Sequence, residues 1–429
     1  WAARALPSAR LTGWHEISRR TATHSGDATL GELACSSGAS AHLTIRNLDA
    51  TVMLERRIDT AADDKLRLTV PQLPTGDYFI DVILNDADNR VLDWGSHCFF
   101  NDSGAQITEI ATERKSYELD KPVPVTIALS GDQADSELQA ELFDTTGRLL
   151  WQKIFPADAQ VSFDADVRES LSIQCELRIS LKRDDRVLAL ESHHILVRQP
   201  LPDVNRFTYG AWAAVNHSMV RRQAARIFAE QGVTTGILGG DMDEWAALNV
   251  RPSPYATRYY PENAEDEREG LMVRRPCLTD PDFLEQETGM LRQQAEKYRH
   301  YSPTAYSLGD DQAMMLTYQD GCVSPTCLAA FRRFLAAQYG SVDALNESWG
   351  SAYDSFDEAM PIPFAEARQT GRYAAWADHR LYMDDLFVRM HSEAKKAIRE
   401  IDTDAMVGFE GPILDDSWYG YAWRELLND

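Results

Sequence analysis

Several things are scarce in this chain. Six cysteines in 429 residues are too few to staple a fold of this size, so its domains must stand on hydrophobic cores. No apolar run approaches the roughly 18–20 residues of a membrane span. Basic residues are outnumbered 67 to 43 by acidic ones, a net charge of -24, which argues against a nucleic-acid partner needing a basic face. No G-x-G-x-x-G phosphate loop follows any predicted strand, so a dinucleotide fold has no fingerprint here. No signal peptide is visible, but the first residue is Trp1 rather than Met, which leaves cytoplasmic and secreted locations both open.

What remains is ordinary soluble protein, 44% hydrophobic and 26% charged, long enough for two to four domains. Residues 1–38 lack clear periodicity and read as the tail of an upstream module or a linker. From His42 to about residue 104 short alternating runs, such as HLTIRNL and DYFIDVIL, are broken by turn signals at Pro74–Gly76 and Asn85–Asn89. A second such set fills residues 105–200, with a turn at Asp144–Gly147. Two immunoglobulin-like β-sandwiches are the economical expectation. Cys35, Cys98 and Cys175 lie in this β-rich part and read as buried single thiols.

Pro200–Pro202 marks a change of texture. Strands are expected at 206–212, 233–238, 250–256, 304–308 and 405–409. Helices are expected at 217–231, 281–298, 325–338, 372–400 and 417–428. Strand–helix alternation predicts parallel β with crossover helices. Five such units in residues 201–429 predict the first part of a (β/α)₈ TIM-type barrel, incomplete at its carboxyl end.

The segment 304–350 is the densest in chemistry. The apolar run Ala305–Leu308 ends in Asp310 and Asp311, and a carboxylate at a strand's carboxyl end is where a barrel enzyme keeps its acid. In an extended strand adjacent side chains point to opposite faces, so one of the two is expected inward and the other in a cap or ion pair. An inward acid of raised pKa could protonate a glycosidic oxygen; otherwise both are acids of the barrel rim. Glu410, ending the next strand, is either a second catalytic carboxylate or a ligand-positioning or structural residue. Trp212, Tyr255 and Trp418 lie near strand ends, where ring faces can stack on the C–H faces of sugars. His217, Arg258, His379 and Arg380 are weaker pocket candidates, with a surface or salt-bridging role as the alternative for each. Cys322, Ser324 and Cys327 form a C-x-C-x-x-C cluster with one thiol replaced, which Cys277 could join. The alternatives are a structural zinc site and three buried or loop thiols.

Beyond these patterns, CLAAFRRFLAAQYGSVDALNESWGSAY, preceded by strand, acid and cysteine loop, resembles the glycoside hydrolase family 42 beta-galactosidases and their trimerisation-domain relatives. Leu345, Asn346, Trp349 and Gly350 match an LNxxWG segment of that family. Asp378, Arg380 and the run AKKAIREIDTDAMVGFEG follow its helix-then-strand order. The resemblance covers about residues 204–429. It implies cleavage of terminal β-galactosides or related β-glycosides, a trimer, and Asp311 as acid/base in place of the Glu of the family's Asn-Glu pair. A side chain one methylene shorter displaces the donor by about an ångström, which costs on the order of a hundredfold. The resemblance also puts the nucleophilic Glu on a seventh strand, beyond the five units read here. Catalysis of this kind requires no cofactor. The competing expectation is a non-catalytic carbohydrate-binding or structural protein on a degraded glycosidase barrel.

Overall fold

A computed structural model of the chain describes residues 22–23, 28–35, 39–59, 65–201, 207–213, 218–261, 263–268, 270–316, 318–412 and 418–428. The expectation for His217 falls outside them. The chain divides into two compact units, residues 1–197 and 198–429.

The first unit is built of sheets. A five-stranded sheet runs in the order Ala22–Thr23, Val91–Asp102, Gly76–Asn85, Ser40–Asn47, Val52–Asp59. The pair Ala28–Ala34 and Lys65–Val70 contributes Leu30, Leu33, Leu66 and Leu68 to the same buried cluster as Leu43, Ile45, Ile80 and Val82. The strand Ala28–Ala34 thus lies within the stretch read as a tail or linker. A three-stranded and a second five-stranded sheet follow, and both supply one aliphatic cluster that includes Val125, Ile127, Leu142, Leu177 and Ile179. Alternation explains the layering: Val123–Gly131 buries every second side chain through Leu129, as the period of two requires. The expected turn forms, with Gly147 donating its N–H to the Asp144 carbonyl at 3.0 Å. Cys98 corrects its expectation. It falls on the outward face of its strand, between inward Phe99 and half-buried His97, and is exposed.

In the second unit five strand segments lie side by side in sequence order. Gly210–Ala213 pairs in parallel with Thr235–Leu238, and that strand with Arg251–Pro252. A parallel bridge between Tyr255 and Ser307 joins the third segment to the strand Tyr306–Gln312, which pairs in parallel with Val407–Pro412. Helices fill the crossovers, including Ser218–Glu230, Pro281–Tyr298, Pro325–Tyr339 and the 27-residue Tyr373–Arg399. Their starts follow from local chemistry. Asp280 caps Pro281–Tyr298 by accepting from the Asp282 N–H, and Ser324 caps Pro325–Tyr339 by accepting from the Cys327 N–H. In each, proline stands where no amide donor is needed. Gly340 and Gly350 end their helices at positive φ.

Three departures from expectation shape the site. Asn263–Arg268 and Leu271–Arg275 form an antiparallel hairpin, which the charged run disguised as loop, and its second strand pairs in parallel with Asp320–Gly321. Extra helices occupy Met242–Ala246, Val342–Trp349 and Phe364–Thr370. The last helix spans Trp423–Asn428 rather than 417–428, leaving Trp418 in the connection before it. Phe331, Leu335, Leu345, Tyr382 and Phe387 are fully buried in the core beneath these loops, each side chain contributing roughly 1.5–3 kcal/mol by burial.

Candidate active site

The strand Tyr306–Gln312 is fixed at its start and irregular at its end. Tyr306 donates its hydroxyl to Asp402 at 3.0 Å, and the other oxygen of Asp402 takes Arg198 at 2.9 Å. Further along, pairing with Val407–Pro412 slips between Ser307 and Asp310: Ser307 faces Gly408, while Asp310 faces Glu410. Leu308 and Gly309 therefore oppose Phe409 alone, a bulge that turns the following side chains. Only glycine suits the bulge. Gly309 has φ of 103°, and a Cβ there would stand 2.4 Å from the Thr257 carbonyl oxygen. Asp311 follows at φ of 44°, in the left-handed region. The simple alternation expected for two adjacent acids does not hold at this position, because the backbone is no longer extended.

Each acid has a distinct setting. Asp310 accepts the Tyr255 hydroxyl at 2.6 Å, and its N–H donates to the same hydroxyl oxygen at 3.3 Å. Arg258 donates from Nε to the Asp310 carbonyl at 2.9 Å, lies 3.4 Å from its carboxylate, and reaches Asp311 from Nη2 at 3.5 Å. Asp311 is the more open of the two, its side chain 53% exposed against 29%. Burial, reinforced by the bond to Asp310, holds the Tyr255 phenol above its ordinary pKa, so the tyrosine stays a proton donor. Glu410 is half-buried, and its Oε2 is buried without a hydrogen-bond partner among the described residues.

The aromatics sort into two groups. Trp212, 62% exposed, lies 6.1 Å from the Tyr255 ring, and Arg258 covers Tyr260 at 4.8 Å. Trp212, Tyr255, Arg258, Asp310, Asp311 and Glu410 thus gather at the carboxyl ends of neighbouring parallel strands. Trp418 belongs to a second group with Tyr318, Phe364 and Trp376. His379 and Arg380 are buried in the helix Tyr373–Arg399, with His379 packed edge-on against Phe331 in the core. A cavity of 480 Å³ lies on the other flank, lined by Leu308, Val388, Phe409 and Trp423 among others; none of the candidate acids lines it.

The hairpin Asn263–Arg275 brings Cys277 to the cysteine loop. The sulfurs of Cys277, Cys322 and Cys327 all lie within 4.8 Å of one another. Ser324 Oγ lies 3.0 Å from Cys277 Sγ and also caps the following helix. Hydrogen bonds from Cys322 and Cys327 hold the Cys277 thiol well below the usual range, and the same contact with Cys277 pushes the other two up. Buried Arg274 stands by with its charge, its pKa brought down to about 10 by burial against the pull of the thiols, and donates to the carbonyls of Met314 and Pro276. Three sulfur donors and a hydroxyl fit zinc's preference for thiolate ligands. Neither Arg274 nor Tyr318 carried a signal in the sequence; only the hairpin and the loop place them.

Comparison with known proteins agrees with this part of the chain. A family model described as beta-galactosidase, glycoside hydrolase family 42, matches residues 254–414. A beta-galactosidase of Halorubrum lacusprofundi is 31% identical over 148 residues, 33% of this chain and 20% of that protein. A beta-galactosidase of a Thermus species is 31% identical over 108 residues, 24% of this chain and 16% of its own length. The match therefore spans a fifth or less of these relatives. The crystal structure of beta-galactosidase from the psychrophilic Marinomonas ef1 aligns at a TM-score of 0.37 and 17% identity, over 48% of this chain and 37% of that one, too low a likeness to bear on function. Residues 254–414 are thus similar to the glycoside hydrolase family 42 beta-galactosidases.

Proposed function

We propose that this chain is part of a glycosidase that cleaves terminal β-galactosides or related β-glycosides, with Asp311 as general acid and base. The observation that carries the reading is the bulge at Leu308–Gly309, which presents Asp310 and Asp311 at the strand end inside the segment matching the beta-galactosidase model. In this reading Asp311 protonates the leaving oxygen and then takes a proton from the incoming water. Asp310, held by Tyr255 and Arg258, accepts hydrogen bonds from sugar hydroxyls; Glu410, Trp212 and Trp418 complete the sugar contacts. The family resemblance places the nucleophilic Glu on a seventh strand.

The five strand segments in sequence order support a scaffold made of the first five units of a (β/α)₈ barrel, since open doubly wound sheets reverse their strand order. The two sheet cores of the first unit support a pair of immunoglobulin-like sandwiches ahead of it. A structural zinc on Cys277, Cys322 and Cys327 would tie the hairpin to the cysteine loop, and assembly into a trimer follows the family resemblance. Elemental analysis should find one zinc per chain, bound more tightly in Ser324→Cys.

Hydrolysis of an aryl β-galactoside by the full-length gene product tests the acid. Asp311→Asn should lower kcat/KM by about 10²–10⁴-fold. Equal rates for both proteins remove Asp311 from the mechanism. Sugar binding without turnover in the wild type replaces the enzyme with a binding protein.

A further inference from the structure

The loop after the strand Tyr306–Gln312 carries Tyr318, and the connection after Val407–Pro412 carries Trp418. These strands are parallel neighbours, so both segments leave the sheet at the end that bears Asp310, Asp311 and Glu410. Main-chain bonds hold the segments together: Met315 N–H donates to the Trp418 carbonyl at 3.1 Å, and Met314 N–H to that of Tyr419 at 2.9 Å.

The rings of Tyr318 and Trp418 lie 5.3 Å apart with their planes at 59°, a wedge rather than a closed stack. The Trp418 side is braced. Phe364 meets Trp418 edge-on at 5.8 Å, and Trp376 approaches it at 6.4 Å. Buried Asp320 fixes both supports, accepting Trp376 Nε1 and the Phe364 N–H at 2.7 Å each. Tyr318 is the opposite. It is 82% exposed and sits at φ of 65°, a conformation that a bulky side chain rarely adopts. Core packing does not account for a tyrosine held out in this way. Strained residues of this kind gather at ligand clamps.

We propose that Tyr318 and Trp418, in contact with each other, form a wedge-shaped platform on which a second pyranose unit, the leaving-group sugar of an oligosaccharide, stacks beside the bond to be cleaved. A pyranose offers an apolar C–H face to a ring and hydroxyls at its edge, and the acids at the same sheet end suit those hydroxyls. The proposal rests on the glycosidase reading and adds a subsite to it.

The test compares hydrolysis of a β-linked galactobiose with that of methyl β-galactoside by the full-length protein. Tyr318→Ala should lower the ratio of the two kcat/KM values about tenfold, and Tyr318→Phe should keep it. Trp418→Ala should act in the same direction. An unchanged ratio in Tyr318→Ala overturns the wedge while leaving the glycosidase intact. If the wild type hydrolyses neither substrate, the glycosidase reading fails on its own. Tryptophan fluorescence titrated with galactobiose then decides the wedge: weaker binding by Tyr318→Ala supports it, and equal binding overturns it.

Discussion

The sheet-built unit and the strand–helix unit bury different kinds of polar group. Among the described residues below 198 the buried polar side chains are small hydroxyls, amides and one turn-forming acid: Ser40, Asn101, Ser136, Asp144, Ser170, Ser172, Gln174 and Ser180. Above it they include Arg274, Glu287, Asp320, Asp378, His379, Arg380, His391 and Asp402. Burying ionisable groups is costly unless each finds partners. The second unit accepts that cost where a loop must be aimed. Asp320 holds the aromatic group, Asp402 anchors the acid-bearing strand, and Asp378 ties three elements together. A scaffold of aliphatic layers needs no such devices, and a site does.

The largest effect should come from Asp378. Its carboxylate accepts Trp349 Nε1 at 2.7 Å, the Tyr339 hydroxyl at 2.7 Å and Gln338 Nε2 at 2.9 Å. Asp378→Ala strands the buried Trp349 donor and releases Tyr339 and Gln338, and should cost about 3 kcal/mol in urea unfolding. Ser170→Ala in the first unit, which removes a 2.9 Å bond to the Ser172 carbonyl and 3.2 Å contacts with the Ser172 N–H and Cys175 Sγ, all between neutral groups, should cost about 1–2 kcal/mol. Equal losses would erase the distinction between the two units.

A second contrast is in acid. Burial lowers the pKa of His391 to about 4 from its ordinary 6.5, so the folded unit holds it neutral. The unfolded chain gains the proton first. Stability is therefore complete above about pH 6.5 and is lost as pH falls towards 4, by about 3 kcal/mol for this group alone. His391→Gln should flatten that stretch of the stability–pH curve. An unchanged slope in the variant would show that other groups set it.

Some of this was legible in the sequence because it is local. Asp280-Pro281 and Ser324-Pro325 announce helix starts through capping chemistry, and the helix from Pro281 to Tyr298 begins and ends where expected. The switch at Pro200–Pro202 lies close to the boundary between units. Tertiary features were illegible for a physical reason. Gly309 inside an apolar run looks like a tolerated strand glycine; its need for positive φ arises only from Thr257 on a neighbouring segment. The charged hairpin Asn263–Arg268 lacks the apolar alternation that marks a strand, yet it delivers Cys277 to its partners. Asp310 was visible, but its hold by Tyr255 and Arg258 was not, because those residues stand more than fifty positions away.

The smallest effect sharpens the contrast from the other side. In the first unit Glu32 joins Lys65 at 2.7 Å and Arg67 at 2.9 Å across the pair Ala28–Ala34 and Lys65–Val70. The three side chains are a third to a half exposed, so water competes for each bond and the cross-strand attraction is weak. Salt should remove what is left, because the screening length falls to about 3 Å at 1 M. Glu32→Gln should therefore shift the thermal midpoint slightly at low salt and not at all at 1 M sodium chloride. The Asp378→Ala loss should persist there, since Asp378 and its Trp349 donor are buried in the core, away from mobile ions. A salt-insensitive Glu32 effect would mean that the sheet-built unit, too, depends on a shielded charge.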